Sequence, residues 1–262
     1  MNCKNCNNAL KDTQKYCDEC GAKIIQNRLT PRAIATQVNE QFLSIDNKFL
    51  QTFIDLFKTP EDVITGYING TRKRYIDVLQ YFAVSLTLAG IQVFLMTTFF
   101  KDAFEFSSEV SGNAQNIANQ ESNPFGGVVY DMLTKYQGLV YILTVPLSAL
   151  GSWLAYFING ERKYNYTEHL ILNLYYSAQI IIITAVFSIL FLLFGLNYLI
   201  VSTILTLPIF IYLFYVLKRV FKENFLNTLA KFILTMFIYM SSLLILMILI
   251  AVVLAVITTV QK

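Results

Sequence analysis

Four cysteines, Cys3, Cys6, Cys17 and Cys20, have the types and spacing best suited to chemistry. The pattern C-x2-C-x10-C-x2-C makes two knuckles, each offering two thiolates, and the four together close a tetrahedral zinc site. Gly21 follows the second knuckle, where a residue without Cβ lets backbone amides turn towards the sulfurs; Asn7 holds the matching place in the first. The competing reading is two disulfides or unpaired thiols. A bridge across CxxC is strained, and the topology derived below puts this end in the reducing cytoplasm. Four protein ligands leave no coordination position for a substrate water, so the zinc is expected to be structural.

A second, thinner set of polar residues lies further along. Tyr166-Thr167-Glu168-His169-Leu170 holds the chain's one histidine, and a Glu168–His169 pair could bind a metal or relay a proton. The plainer reading is a polar start to a helix. Gln92, Asn173 and Gln179 are the strongly polar residues inside apolar segments, and they serve either to line a path or to hydrogen-bond between helices. Walker, dinucleotide-binding, HExxH and GxSxG patterns are absent, so an enzyme is not expected.

The elements that must position these residues are membrane helices. Of 262 residues 55% are hydrophobic and 14% charged, far from a soluble domain. The net charge of +3 is too small for a nucleic-acid-binding face. Apolar runs predict spans at about 78–100, 138–158, 170–194, 198–217 and 232–259, each long enough to cross a bilayer and none containing an ionisable side chain. The polar N-terminus lacks an apolar signal stretch. Thr30-Pro31 predicts a helix start continuing through Ala33–Leu43, Asp46 a cap for the next, and Thr59-Pro60-Glu61-Asp62 another. Asn69-Gly70 ends the last of these. Their apolar faces suit either docking on the inner leaflet or covering the end of the helix bundle.

Lys and Arg set the orientation. Eleven basic residues precede the first span; Arg162 and Lys163 lie between the second and third, and Lys218, Arg219, Lys222 and Lys231 between the fourth and fifth. The long 101–137 loop is acidic by comparison. Every segment agrees on N-terminus in and C-terminus out. Two stretches, YINGTRKRY (67–75) and FINGERKY (157–164), share Ile-Asn-Gly-x-Arg-Lys and a following Tyr, each ahead of an outward-going span. They read as a diverged repeat, or as convergent helix-stop chemistry with Arg72, Lys73, Arg74, Arg162 and Lys163 as membrane-interface anchors.

Cys20-Gly21-Ala22-Lys23 after a double-CxxC ribbon, then Thr52, Leu56, Pro60, Tyr67, Ile68, Gly70, Arg72 and Tyr75, and the later Tyr166–Leu170 run together resemble the bacterial membrane-protein family of unknown function numbered 3667. The resemblance implies a multi-pass protein with a zinc ribbon, and no activity. The expected architecture is an all-α integral membrane protein. Residues 1–25 form a zinc ribbon, 26–75 a linker with amphipathic interfacial helices, and 76–262 a five-transmembrane-helix bundle, N-in and C-out, in a bacterial cytoplasmic membrane. Membrane lipids and a cytoplasmic protein are the expected partners, which makes the chain an adaptor. A small-solute transporter or channel built from two related helix pairs is the alternative.

Overall fold

The computed structural model describes residues 2–11, 13–22, 24, 30, 45–100, 137–195 and 198–260. Two compact units divide the chain, Met1–Asp46 and Asn47–Lys262. The helix expected over Ala33–Leu43 lies outside the described residues.

Among the described residues there are seven helices: α1 (Ile45–Lys58), α2 (Pro60–Ile68), α3 (Val78–Phe99), α4 (Gln137–Ile158), α5 (Tyr166–Leu193), α6 (Tyr198–Phe221) and α7 (Phe225–Val260). The last five are long and apolar enough to cross a membrane. At 1.5 Å per residue, the 22 residues of α3 and of α4 extend about 33 Å, close to the hydrocarbon thickness. Pro146 and Pro208 lie inside α4 and α6, as membrane helices tolerate.

Three helices overrun the expected spans, each at the same end of the bundle. The α5 helix starts at Tyr166 rather than Leu170 because Asn165 and Glu168 close a capping box. The α6 helix continues through Lys218 and Arg219 to Phe221, and α7 begins at Phe225, seven residues before Phe232. The helices therefore take in Glu168, His169, Lys218, Arg219 and Lys231 beyond the ends of the expected spans. Contacts across this end hold it together: Phe221 stacks on Tyr156 at 3.7 Å between ring centroids, and Arg219 pairs with Glu61.

The centre of the bundle is α5, which touches α2, α3, α4 and α6. Tyr175, Ala178, Gln179 and Ala185 along it are wholly buried. The α4 and α7 helices pack directly on each other, with Gly151 of α4 against Thr235 and Tyr239 of α7. Beyond Met240, α7 presents Leu244, Ile245, Ile248, Leu249, Val252 and Val253 outward, an all-round apolar surface that suits lipid.

The short helices pack on the bundle. Thr52 and Leu56 of α1 are fully buried, and Thr52 Oγ1 accepts a 3.1 Å bond from the Ile76 amide. Thr59 precedes α2, but its side chain makes no cap bond; its carbonyl accepts from the Asp62 amide at 3.0 Å instead.

The two related stretches fold alike. Gly70 N–H donates to the Tyr67 carbonyl and Thr71 N–H to Gly66; Gly160 and Glu161 repeat this with Phe157 and Tyr156. Both glycines are left-handed, at φ +96° and +81°, completing Schellman turns in which an L side chain is strained. Arg72 lies 5.5 Å over the Tyr67 ring and Arg162 4.9 Å over Phe157, while Arg74 and Lys163 lie over the following Tyr75 and Tyr164. Asp77 then caps α3 through the Leu79 amide, as Asn165 caps α5. The shared letters thus carry a shared helix stop, cation–aromatic stack and helix start.

Candidate functional site

The ribbon is two copies of one knuckle. Asn7 N–H donates to the Cys3 carbonyl at 2.9 Å and Gly21 N–H to Cys17 at 2.9 Å; Cys3 N–H reaches Asn8 O and Cys17 N–H reaches Ala22 O. Asn7 and Gly21 both adopt positive φ, 60° and 70°. Asn accepts this left-handed conformation better than most residues, which explains its place where glycine is usual. Asn8 Nδ2 donates to Asp18 Oδ1 across the knuckles at 3.2 Å, and Leu10 packs with Cys3 and Cys17 as a small core flanked by Ala22 and Ile24.

This frame gathers all four sulfurs within 4.8 Å of one another. Cys3–Cys20 and Cys6–Cys17 are each 3.6 Å apart, and all four are free thiols. A tetrahedron of sulfurs about 2.3 Å from a metal has edges of about 3.8 Å, so the cluster fits a metal ion, and its four-sulfur set suits zinc or iron. The Asn5 side chain, the Ala22 amide and the Cys6 thiol hold Cys20 down to about 6. At Cys6 the Asn8 amide acts to lower the thiol. The Cys20, Cys17 and Cys3 sulfurs, with partial desolvation, outweigh it and push Cys6 up to about 12.

The bundle separates the remaining candidates. Glu168 and His169 do not act together. Glu168 Oε2 accepts the Asn165 amide at 2.7 Å in the capping box, while His169 is buried with Nδ1 3.0 Å from Ser152 Oγ. Asn173 extends that chain: its Nδ2 donates to Ser152 Oγ at 3.0 Å and to the His169 carbonyl at 2.8 Å, and its Oδ1 accepts from Ser148 Oγ at 2.7 Å. A carboxamide holds its protons on nitrogen at neutral pH, so this chain orients groups but does not conduct a proton. Gln179 Oε1 accepts from Tyr81 OH and its Nε2 donates to the Phe53 carbonyl at 3.1 Å, tying α5 to α3 and α1. Gln92 Nε2 lies 3.7 Å from Met96 Sδ on its own helix. The three amides therefore serve three different contacts.

Arg72, Lys73, Arg74, Arg162 and Lys163 are exposed and, among the described residues, form no ion pair. Two features escaped the sequence reading. Tyrosines from α5 and α6 reach carbonyls of the lead-in segment: Tyr212 OH donates to Leu56 O, Tyr215 OH to Phe57 O and Lys58 O, each at 3.0 Å, and Tyr175 OH to Ile76 O at 2.9 Å. Tyr212 and Tyr215 satisfy carbonyls left open where α1 ends, and Tyr175 one just ahead of α3. Aromatic abundance was visible, but not which rings carry a hydroxyl towards α1. The second is a buried Lys231–Glu223 pair, with Lys231 Nζ 4.6 Å over the Tyr156 ring. No spacing marks it, because its ring partner comes from α4.

The family-matched motif now has physical roles. Thr52 bonds the Ile76 amide, Leu56 is buried, Tyr67 OH donates to Asp77 Oδ2 at 2.9 Å, Gly70 makes the left-handed turn, Arg72 stacks on Tyr67, and Tyr75 is buried. No curated protein and no solved structure matches the chain. Residues 46–90, from α1 into α3, match the model of a family described as Protein of unknown function (DUF3667), which bears out over that segment the resemblance drawn from the sequence.

Proposed function

We propose that the chain is a membrane-embedded adaptor: a cytoplasmic zinc ribbon offered to a protein partner and fixed at the membrane by five spanning helices. One observation carries this reading. The four thiols form a closed ligand set in a compact unit of their own, whereas the bundle uses its amides in interhelical and intrahelical contacts. A metal with four protein ligands adds stability to a fold whose core is only Leu10, Cys3 and Cys17, and it leaves no position for catalysis. The gathering of Arg72, Arg162, Lys218 and Arg219 at one end of the bundle supports N-in and C-out in a bacterial cytoplasmic membrane, with the five exposed cations of the two turns against anionic lipid. The transporter alternative needs Gln92, Asn173 and Gln179 around one path, and they are apart.

The test compares wild type with a Cys17→Ser/Cys20→Ser variant in native membranes. Zinc is read by elemental analysis, and proximity crosslinking is read by mass spectrometry. Loss of zinc together with a specific crosslinked protein, with the variant still inserted, supports the adaptor. Zinc lost with crosslinks unchanged reduces the ribbon to a folding device.

A further inference from the structure

We propose that the cavity between α4, α5, α6 and α7 binds a small neutral molecule with an apolar body and one or two hydrogen-bond donors. The cavity measures about 240 Å³ and takes its apolar walls from residues such as Val145, Ile181 and Leu213. Six hydroxyl residues, Tyr141, Thr144, Ser148, Tyr176, Ser177 and Tyr239, also line it, inside segments apolar enough to span the membrane.

Thr144 gives its proton to the Tyr141 carbonyl at 3.3 Å, and the ligand is read from Ser148, Tyr176 and Ser177. Ser148 gives its proton to Asn173 Oδ1 at 2.7 Å, and Tyr176 gives its own to the Ile209 carbonyl at 3.3 Å. Each oxygen is left with lone pairs only and accepts from a donor. Ser177 makes no hydrogen bond among the described residues, so its hydroxyl has a proton to give. A hydroxyl without a partner in an apolar medium is costly, and an acyl chain offers it nothing. No Asp, Glu, Lys, Arg or His lines the cavity, so a charged ligand would be unpaired there. At about 30 Å³ per water the volume equals about eight waters, below the range for drug-sized ligands. A single-ring compound fits that size. The site does not depend on the adaptor reading, since it uses no ribbon residue.

The experiment titrates phenol, toluene and benzoate into the full chain in nanodiscs, by calorimetry. Phenol is expected to bind saturably, one per chain, with toluene weaker and benzoate silent. Ser177→Ala weakens phenol about 2–10-fold, the loss of one neutral hydrogen bond, and Val145→Trp, which fills the cavity, removes binding. Should Val145→Trp not fold, Ser177→Ala, which deletes one oxygen, carries the test alone. Non-saturable uptake, or phenol binding unchanged in Ser177→Ala, overturns the proposal. A phospholipid that copurifies in stoichiometric amount and is lost in Val145→Trp also overturns it, by making the cavity an acyl-chain groove.

Discussion

Replacing Gly151 by alanine tests the contact between α4 and α7. A methyl group there would meet the Thr235 carbonyl oxygen at 3.0 Å and the Tyr239 Cβ and backbone nitrogen at 3.3 Å. Two of those atoms are backbone, so no rotamer change relieves the contact, and α4 and α7 must move apart. Overpacking of this kind costs about 1–3 kcal/mol, against about 0.5–1 kcal/mol regained because alanine is the better helix former. The balance leaves a net loss of up to about 2.5 kcal/mol. Gly90 on α3 is the control: nothing lies within 4 Å of its added Cβ, so Gly90→Ala keeps only the gain. Trp153, the one tryptophan and two residues from Gly151, reports the transition by fluorescence during reversible unfolding in mixed micelles. The two variants should shift the midpoint in opposite directions. A Gly151→Ala protein as stable as wild type, or a Gly90→Ala protein destabilised as much, would refute the α4–α7 packing.

The buried amides should separate by what they bond. Asn173→Leu removes the acceptor of Ser148 and one of the partners of Ser152, and is expected to cost about 1 kcal/mol in the same assay, within the range measured for membrane hydrogen bonds. Gln92→Leu, which loses only the contact to Met96 on its own helix, should cost less, and the reverse order would count against the assignment. Arg219 forks onto Glu61 at 2.5 and 2.9 Å, but its side chain is 41% exposed, so Arg219→Ala should cost under about 1 kcal/mol. Faster hydrogen exchange confined to α2 is the expected signature, and unchanged protection there would show that the pair does not hold α2.

What the sequence revealed is what lipid and metal impose locally. A bilayer demands about twenty apolar residues wherever a helix crosses it, so five spans stood out, and a four-thiolate site demands paired knuckles, so the cysteine spacing was readable. The start of α5 was also legible: the plainer reading of Glu168 as part of a polar helix start holds, with Asn165 completing a capping box, and only the bound at Leu170 was four residues late. The inner faces of α1 and α2 were marked by spacing, but not what they meet. Tyr212 and Tyr215 reach α1 across more than 150 positions, and Gly151 matters only because Thr235 lies opposite. Such contacts are properties of helix pairing, which apolar periodicity leaves open because every face of a membrane helix is apolar.

The most direct test of the account is topology. An N-terminal fluorescent fusion and a C-terminal alkaline phosphatase fusion should be expressed in a bacterial host, each on the full chain. Five spans with the ribbon inside require fluorescence from the first and phosphatase activity from the second, since that enzyme works only beyond the cytoplasmic membrane. An inactive C-terminal phosphatase beside a bright N-terminal fusion would put both ends on one side and contradict the five-span arrangement. A dark N-terminal fusion with active phosphatase would put the cysteines outside and remove the basis for a cytoplasmic adaptor.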